Sequence, residues 1–189
     1  LGVFYIKAGF ESFQGVMDLS QYKFEGYKAV FAFLLLGAAI TAIIQSSHAT
    51  LAIIITAFLE HQISYDAALA AVLGTSVGGV VTALIASLSA NAEGRRLALA
   101  NCIFNFTTVF LVVAFFPLFK FVNDFLADLI HLQSDSILRL SLFHTLFNLF
   151  GIVLLTAFIP ALARFLSKIF KQATKSESTP LFINDTLLP

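Results

Sequence analysis

Four long apolar stretches free of Asp, Glu, Lys and Arg dominate the chain: between Lys28 and Glu60, Asp66 and Glu93, Arg96 and Lys120, and Arg139 and Arg164. Each exceeds the roughly 20 residues that a helix needs to cross about 30 Å of hydrocarbon. Two predict plain spans, 97–119 with Pro117 near its end and 140–163 closed by Pro160. The other two are interrupted. The element 29–59 is broken by Gln45-Ser46-Ser47-His48, and the element 67–88 by Gly74-Thr75-Ser76-Val77-Gly78-Gly79. Polar or glycine-rich backbone at membrane depth is tolerated only where protein or a water-filled cavity surrounds it. Both elements are therefore expected to be re-entrant hairpins or discontinuous helices, and the pattern leaves open which. Between the plain spans, 121–130 sets Asp124 and Asp128 against Phe121, Phe125 and Leu129, as in a helix lying in the interface. The fold class is all-α integral membrane, with a transport unit over 1–171 and a cytoplasmic linker or tail over 172–189.

Composition agrees with a bilayer protein. Hydrophobic residues make up 59% and charged residues 12%, against about a quarter charged in a soluble domain, and the mean hydropathy is +0.92. The 22 Phe and the absence of Trp fit lipid-facing surfaces. A net charge of zero argues against a nucleic-acid partner. The single Cys102 supports neither a disulfide framework nor a transition-metal site. No basic segment precedes an apolar one at the start, so no signal peptide is expected, and Leu1 reads as the cut edge of a longer chain. If both plain spans cross, Arg95 and Arg96 share a side with Arg164, Lys168, Lys171 and Lys175, while Asp124, Asp128 and Asp135 lie opposite with Lys120 and Arg139. The positive-inside rule then puts the first group and the C-terminus in the cytoplasm.

The run Gln45-Ser46-Ser47-His48-Ala49-Thr50 carries the clearest chemistry. Consecutive polar side chains inside a charge-free stretch are costly unless hydrated or paired. The amides that open the 49–59 arm, with the Ser46 and Ser47 hydroxyls, offer donors and a positive dipole end to an anion. Gln45 brings a carbonyl oxygen suited to a hard cation such as sodium. The plainer alternative is that these hydroxyls hold helices together, and His48 stands equally for a site wall or a structural hydrogen bond. The 74–79 segment supplies hydroxyls and backbone that could face the first. Its Gly74-Thr75-Ser76-Val77-Gly78 also matches the nucleophile-elbow pattern, which requires a strand–turn–helix setting; apolar arms of lipid length argue against it. Asn101, Asn105 and Thr108 form one stripe at helical spacing, and Ser141, His144, Asn148 and Gly151 another. Such stripes face a bundle interior or a cavity, and interhelical hydrogen bonding is the leading reading for both.

In order and spacing these motifs resemble the sodium/phosphate cotransporter family, bacterial type. Its members carry Q-S-S-x-A-T at a re-entrant hairpin, then G-x-N-[IV]-G-T-T-V-T-A, then R-R/K-x-A-x-A-H-x-x-F-N, then H-T-L-F-N. The corresponding residues here are Gln45 to Thr50, Gly74 to Ala83, Arg95 to Asn105 and His144 to Asn148, so the likeness runs over nearly the whole chain to about residue 163. Ser76 stands where the family usually has Asn, Gly79 where it has Thr, Asn101 where it has His, and His48 where a third Ser is commoner.

The resemblance implies one half, the second repeat, of an inverted-repeat transporter that moves inorganic phosphate with sodium. A site between two repeats requires a partner half, upstream in the same chain or in another copy. The segment from Thr179 is similar to the linker before a PhoU-type helical domain. The expected phosphate ligands are Ser46, Ser47, His48 and Asn105, and the expected sodium ligands Gln45, Thr75, Ser76 and Thr82. No cofactor beyond the coupling ion is expected, and the expected location is the plasma or inner membrane. The alternatives are an anion channel with the same lining, and an intramembrane hydrolase using Ser76 with His144 or His48.

Overall fold

The structure is a computed structural model that describes residues 26–132 and 135–170; the expected tail at 172–189 lies outside them. The described residues form seven helices: α1 (Tyr27–Ile44), α2 (Ser47–Leu59), α3 (Tyr65–Ser87), α4 (Ala92–Ala114), α5 (Phe116–Leu129), α6 (Ser136–Thr156) and α7 (Ile159–Ile169). Of these, α1, α3, α4 and α6 are long and apolar enough to cross a bilayer.

Local chemistry sets most of the boundaries. Gln45 turns into the left-handed region (φ 58°) and ends α1, its amide donating to the Thr41 carbonyl at 2.7 Å. Ser46 is extended, and its hydroxyl accepts the Ala49 amide at 3.3 Å, starting α2 two residues after α1 stops. Ser64, Asn91 and Asp135 cap α3, α4 and α6 in the same way. Two expectations need correction at prolines. Pro117 and Pro160 sit in the first turns of α5 and α7, where a missing N–H costs nothing. The spans therefore close earlier than 119 and 163, at Ala114 and Thr156, and each proline opens a new short helix.

A second correction concerns 74–79. Where a break was expected, α3 runs as one helix of 23 residues. Its glycines serve packing instead. A Cβ on Gly37 would overlap the Ala71 carbonyl, one on Gly74 the Leu34 carbonyl, and one on Gly78 the Ala38 carbonyl. The two backbones are thus in direct contact, as small residues permit in membrane helices. Because 37 meets 71, 34 to 38 meet 74, and 38 to 41 meet 78, α1 and α3 run in the same direction. α2 must therefore carry the chain back, and its 13 residues rise about 20 Å. Phe58, near the end of α2, reaches Tyr65 at the start of α3, with ring centroids 5.9 Å apart. α1 and α2 thus form a helical hairpin whose tip, Gln45–Ser46, stands one turn beyond Thr41, level with Thr82.

α3 is the central element: 56% of its span is buried, against 22% to 28% for the other three. Leu69, Val72 and Leu73 pack into a core with Val112 of α4 and with Leu140, Phe143 and Phe147 of α6. Outside, Ile43, Phe110 and Val153 are at least 70% exposed, as suits side chains that face lipid.

The two ends of the bundle differ in chemistry. At the end where α3 begins, Asp124 of α5 accepts from Tyr65 Oη and Arg139 Nη2, both at 2.7 Å. Asn123, fully buried, donates to Tyr65 Oη at 2.9 Å, and Lys120 pairs with Asp66. At the opposite end Arg96 donates to the Phe170 carbonyl, tying the first turn of α4 to the end of α7. Arg95, Arg96, Arg164 and Lys168 thus share one end, and Asp124 lies at the other. Asp124→Ala strands both Tyr65 and Arg139. Since Asp124 and Arg139 remain 29% and 26% exposed, screening limits the loss to about 1–2 kcal/mol. Thermal unfolding in detergent checks this, with Tyr65→Phe expected to cost less.

Candidate functional site

The tip of the hairpin, the middle of α3 and the polar stripes of α4 and α6 line one open cavity of about 580 Å³. Ser47 reaches it from the first position of α2. The Ser47 and His48 amides have no acceptor within that helix, so the positive end of α2 opens onto the same space. Thr75, Ser76 and Gly79 line it from α3, Asn101 and Asn105 from α4, and His144, Thr145 and Asn148 from α6, while Leu149 and Ile152 give an apolar side.

Hydrogen bonds within the walls decide which atoms remain for a ligand. Asn105 Nδ2 donates to the backbone and side-chain oxygens of Asn101 at 2.9 and 2.8 Å. Asn148 Nδ2 donates to the His144 carbonyl at 2.8 Å, and Thr75 Oγ1 to the Val72 carbonyl at 2.8 Å. Bound in this way, Asn105 and Asn148 keep their side-chain oxygens as acceptors. The donors that remain are the Ser47 and Ser76 hydroxyls, the Asn101 amide, the second N–H of Asn148 Nδ2 and the His144 ring. His144 stands edge-on to Phe147, with ring centroids 5.3 Å apart. Among the described residues no Asp, Glu, Lys or Arg lines the cavity. It can hold a small ion only through neutral dipoles, a helix end and imidazole.

Of the eight candidate ligands, Ser47, Thr75, Ser76 and Asn105 meet at this cavity, and four stand elsewhere. Ser46 serves as the cap of α2. Gln45 and His48 are exposed at the hairpin tip. Thr82 lies off the cavity, level with Gln45, and its hydroxyl is buried without a hydrogen-bond partner among the described residues. One turn below the tip, Thr41 is fully buried with its hydroxyl likewise unpartnered. No sequence signal marked Thr41, a lone hydroxyl in an apolar run. Asn101, His144 and Asn148 read from the sequence as helix-packing groups, yet all three face the cavity. The helical stripe to which each belongs was the signal for this. Thr108, on the same α4 stripe, packs against Gly151 instead. Ser76 shares the cavity with His144, but it lies within a continuous helix and not on the strand–turn–helix elbow of a serine hydrolase.

No family model matches the chain, and no solved structure matches it. Among curated proteins it is 35% identical over 82 residues to "Uncharacterized protein YqeW" of Bacillus subtilis, covering 43% of this chain. It is 26% identical over 162 residues to "Putative inorganic phosphate export protein YjbB" of Escherichia coli K12, covering 77% of this chain. A Shigella flexneri protein of the same name matches equally. The chain spans 27% of the length of each of these relatives. It is thus a helical chain with four candidate membrane spans, distantly similar to a protein named for phosphate export.

Proposed function

We propose that this chain is one half of a membrane transporter that moves inorganic phosphate by alternating access, coupled to sodium. The observation that carries the reading is the convergence of Ser47 and the start of α2 with Ser76, Asn101 and His144 on one cavity whose described lining bears no fixed charge. Hydroxyls, amides and a helix start are suited to phosphate oxygens. With no Lys or Arg among the described lining residues to balance the anion, a co-bound cation is the natural complement. Gln45 at the tip and the unpartnered Thr82 and Thr41 hydroxyls beside it supply neutral oxygens for sodium, with Thr75 and Ser76 on the cavity side. The hairpin enters and leaves from the same end of the bundle, which favours a re-entrant element over a broken span. The cavity is open, and a second repeat from the remainder of a longer chain or from another copy would close it. The printed function of the Escherichia coli relative supports phosphate as the substrate class.

Flux of labelled phosphate into proteoliposomes holding the full-length protein tests the proposal. Saturable flux that follows an imposed sodium gradient is expected. Flux that rises linearly with phosphate and ignores sodium would instead identify an anion channel with the same lining. Orientation is a separate prediction. In a Cys102→Ala background, Asp124→Cys is expected to react with an impermeant maleimide from outside the cell, and Lys168→Cys only after permeabilisation. Equal reactivity of the two refutes the arrangement.

A further inference from the structure

A second cavity, about 780 Å³, opens between α4 and α7 at the basic end of the bundle. Its walls change character along their length. Leu97 and Phe104 of α4, with Leu155 of α6 and Leu162 of α7, give it an apolar channel, and Glu93, Arg96, Asn101, Arg164 and Ser167 supply its polar lining. From these we propose that the groove binds a single anionic phospholipid, with an acyl chain against Leu97, Phe104 and Leu155 and the phosphodiester beside Arg164.

Three observations select that occupant. α7 has the make-up of a helix lying along a membrane surface: Phe158, Ile159, Phe165 and Ile169 are all at least half exposed, and Arg164 and Lys168 lie among them. The charge at this end is one-sided. Arg95, Arg96, Arg164 and Lys168 oppose Glu93, which Arg96 already holds at 2.7 Å. Among the described residues Arg96 is also spent on the Phe170 carbonyl, whereas Arg164 gives only its Nε to the Pro160 carbonyl at 3.3 Å. The two terminal nitrogens of Arg164 therefore remain for a phosphate. A soluble anion would find no use for the apolar channel, and a zwitterionic lipid would bring a cationic head group beside Arg96, Arg164 and Lys168. A phospholipid with a net negative head group uses both the channel and the arginine, as basic pockets beside membrane helices do. Nothing in this inference depends on what the protein transports.

The test uses the full-length protein in nanodiscs of phosphatidylcholine doped with a photoactivatable phosphatidylglycerol, or with photoactivatable phosphatidylcholine at the same density. Crosslinks are mapped to peptides by mass spectrometry. Phosphatidylglycerol is expected to label peptides within 97–104 and 155–167 roughly fivefold more than phosphatidylcholine, the ratio that one basic residue supplies near anionic lipid. Arg164→Gln should bring the two probes level, and Arg164→Lys should restore most of the difference. Ala100→Trp, which fills the groove and alters no charge, should remove the labelling by both probes. Equal labelling by the two probes in the unmodified protein overturns the proposal. So does a preference that survives Ala100→Trp, since that would place the lipid on the charged surface and not in the groove. Absence of label from these peptides, as when another part of the full chain covers the groove, overturns it too.

Discussion

Gly74→Ala is expected to destabilise the bundle by about 3 kcal/mol, the upper end of the usual cost of overpacking. The added methyl would meet the Leu34 carbonyl and lie 2.8 Å from the Ala38 amide nitrogen. Both are backbone atoms of α1, so no rotamer change relieves the clash and the two helices must separate. Gly79→Ala provides the contrast within the same helix. Nothing lies within 4 Å of a Cβ there, and alanine is the better helix former by about 1 kcal/mol, so melting is expected to rise slightly. On the proposed function the same methyl should impair transport, because Gly79 lines the cavity. Circular dichroism melts in detergent, paired with flux in proteoliposomes, separate the two effects. If Gly74→Ala melts with the unsubstituted protein, α1 and α3 do not approach as described.

Ser47→Ala is expected to raise the phosphate concentration for half-maximal flux roughly tenfold or more, with expression and melting unchanged. Its hydroxyl lies at the start of α2 and faces the cavity, where it would add a hydrogen bond to a charged oxygen worth about 1.5–3 kcal/mol. Ser46→Ala is expected to act differently. It removes the cap that accepts the Ala49 amide, so about 1 kcal/mol of helix stability should be lost. Unchanged phosphate dependence in Ser47→Ala would return the hydroxyl to a helix-packing role.

The difference between these two serines shows where sequence reading stops. The four apolar stretches were legible because charge is excluded from hydrocarbon, and the interruption at 45–48 was legible because polar side chains there need a partner. The sequence could not divide the labour within the interruption. One serine of the pair caps and its neighbour faces the cavity, and the turn angles at Gln45 and Ser46 decide which. The segment 74–79 misled for a related reason. Glycines that unwind a helix and glycines that let two helices touch have the same composition, and only the position of α1 against α3 separates them. Pro117 and Pro160 are ambiguous in the same sense, since a proline fits either beyond the end of one helix or in the first turn of the next. Thr41 carried no pattern at all, and Thr82 was marked only by the family resemblance. Their significance lies in having no partner, a property of three-dimensional surroundings.

The contact between α1 and α3 also limits how the molecule can move. Along this seam three glycines of two helices seat against carbonyls in one fixed register. Sliding by a single turn, about 5.4 Å, would put residues bearing side chains where only glycine fits. The hairpin and α3 therefore travel together as one lever. Opposite them, α4 meets α6 through Phe104 and Thr108 against Gly151, where side chains can rotate and re-seat. Movement of that lever against the rest of the bundle is left to contacts between side chains, Leu69, Val72 and Leu73 of α3 against Val112 of α4 and Phe143 and Phe147 of α6.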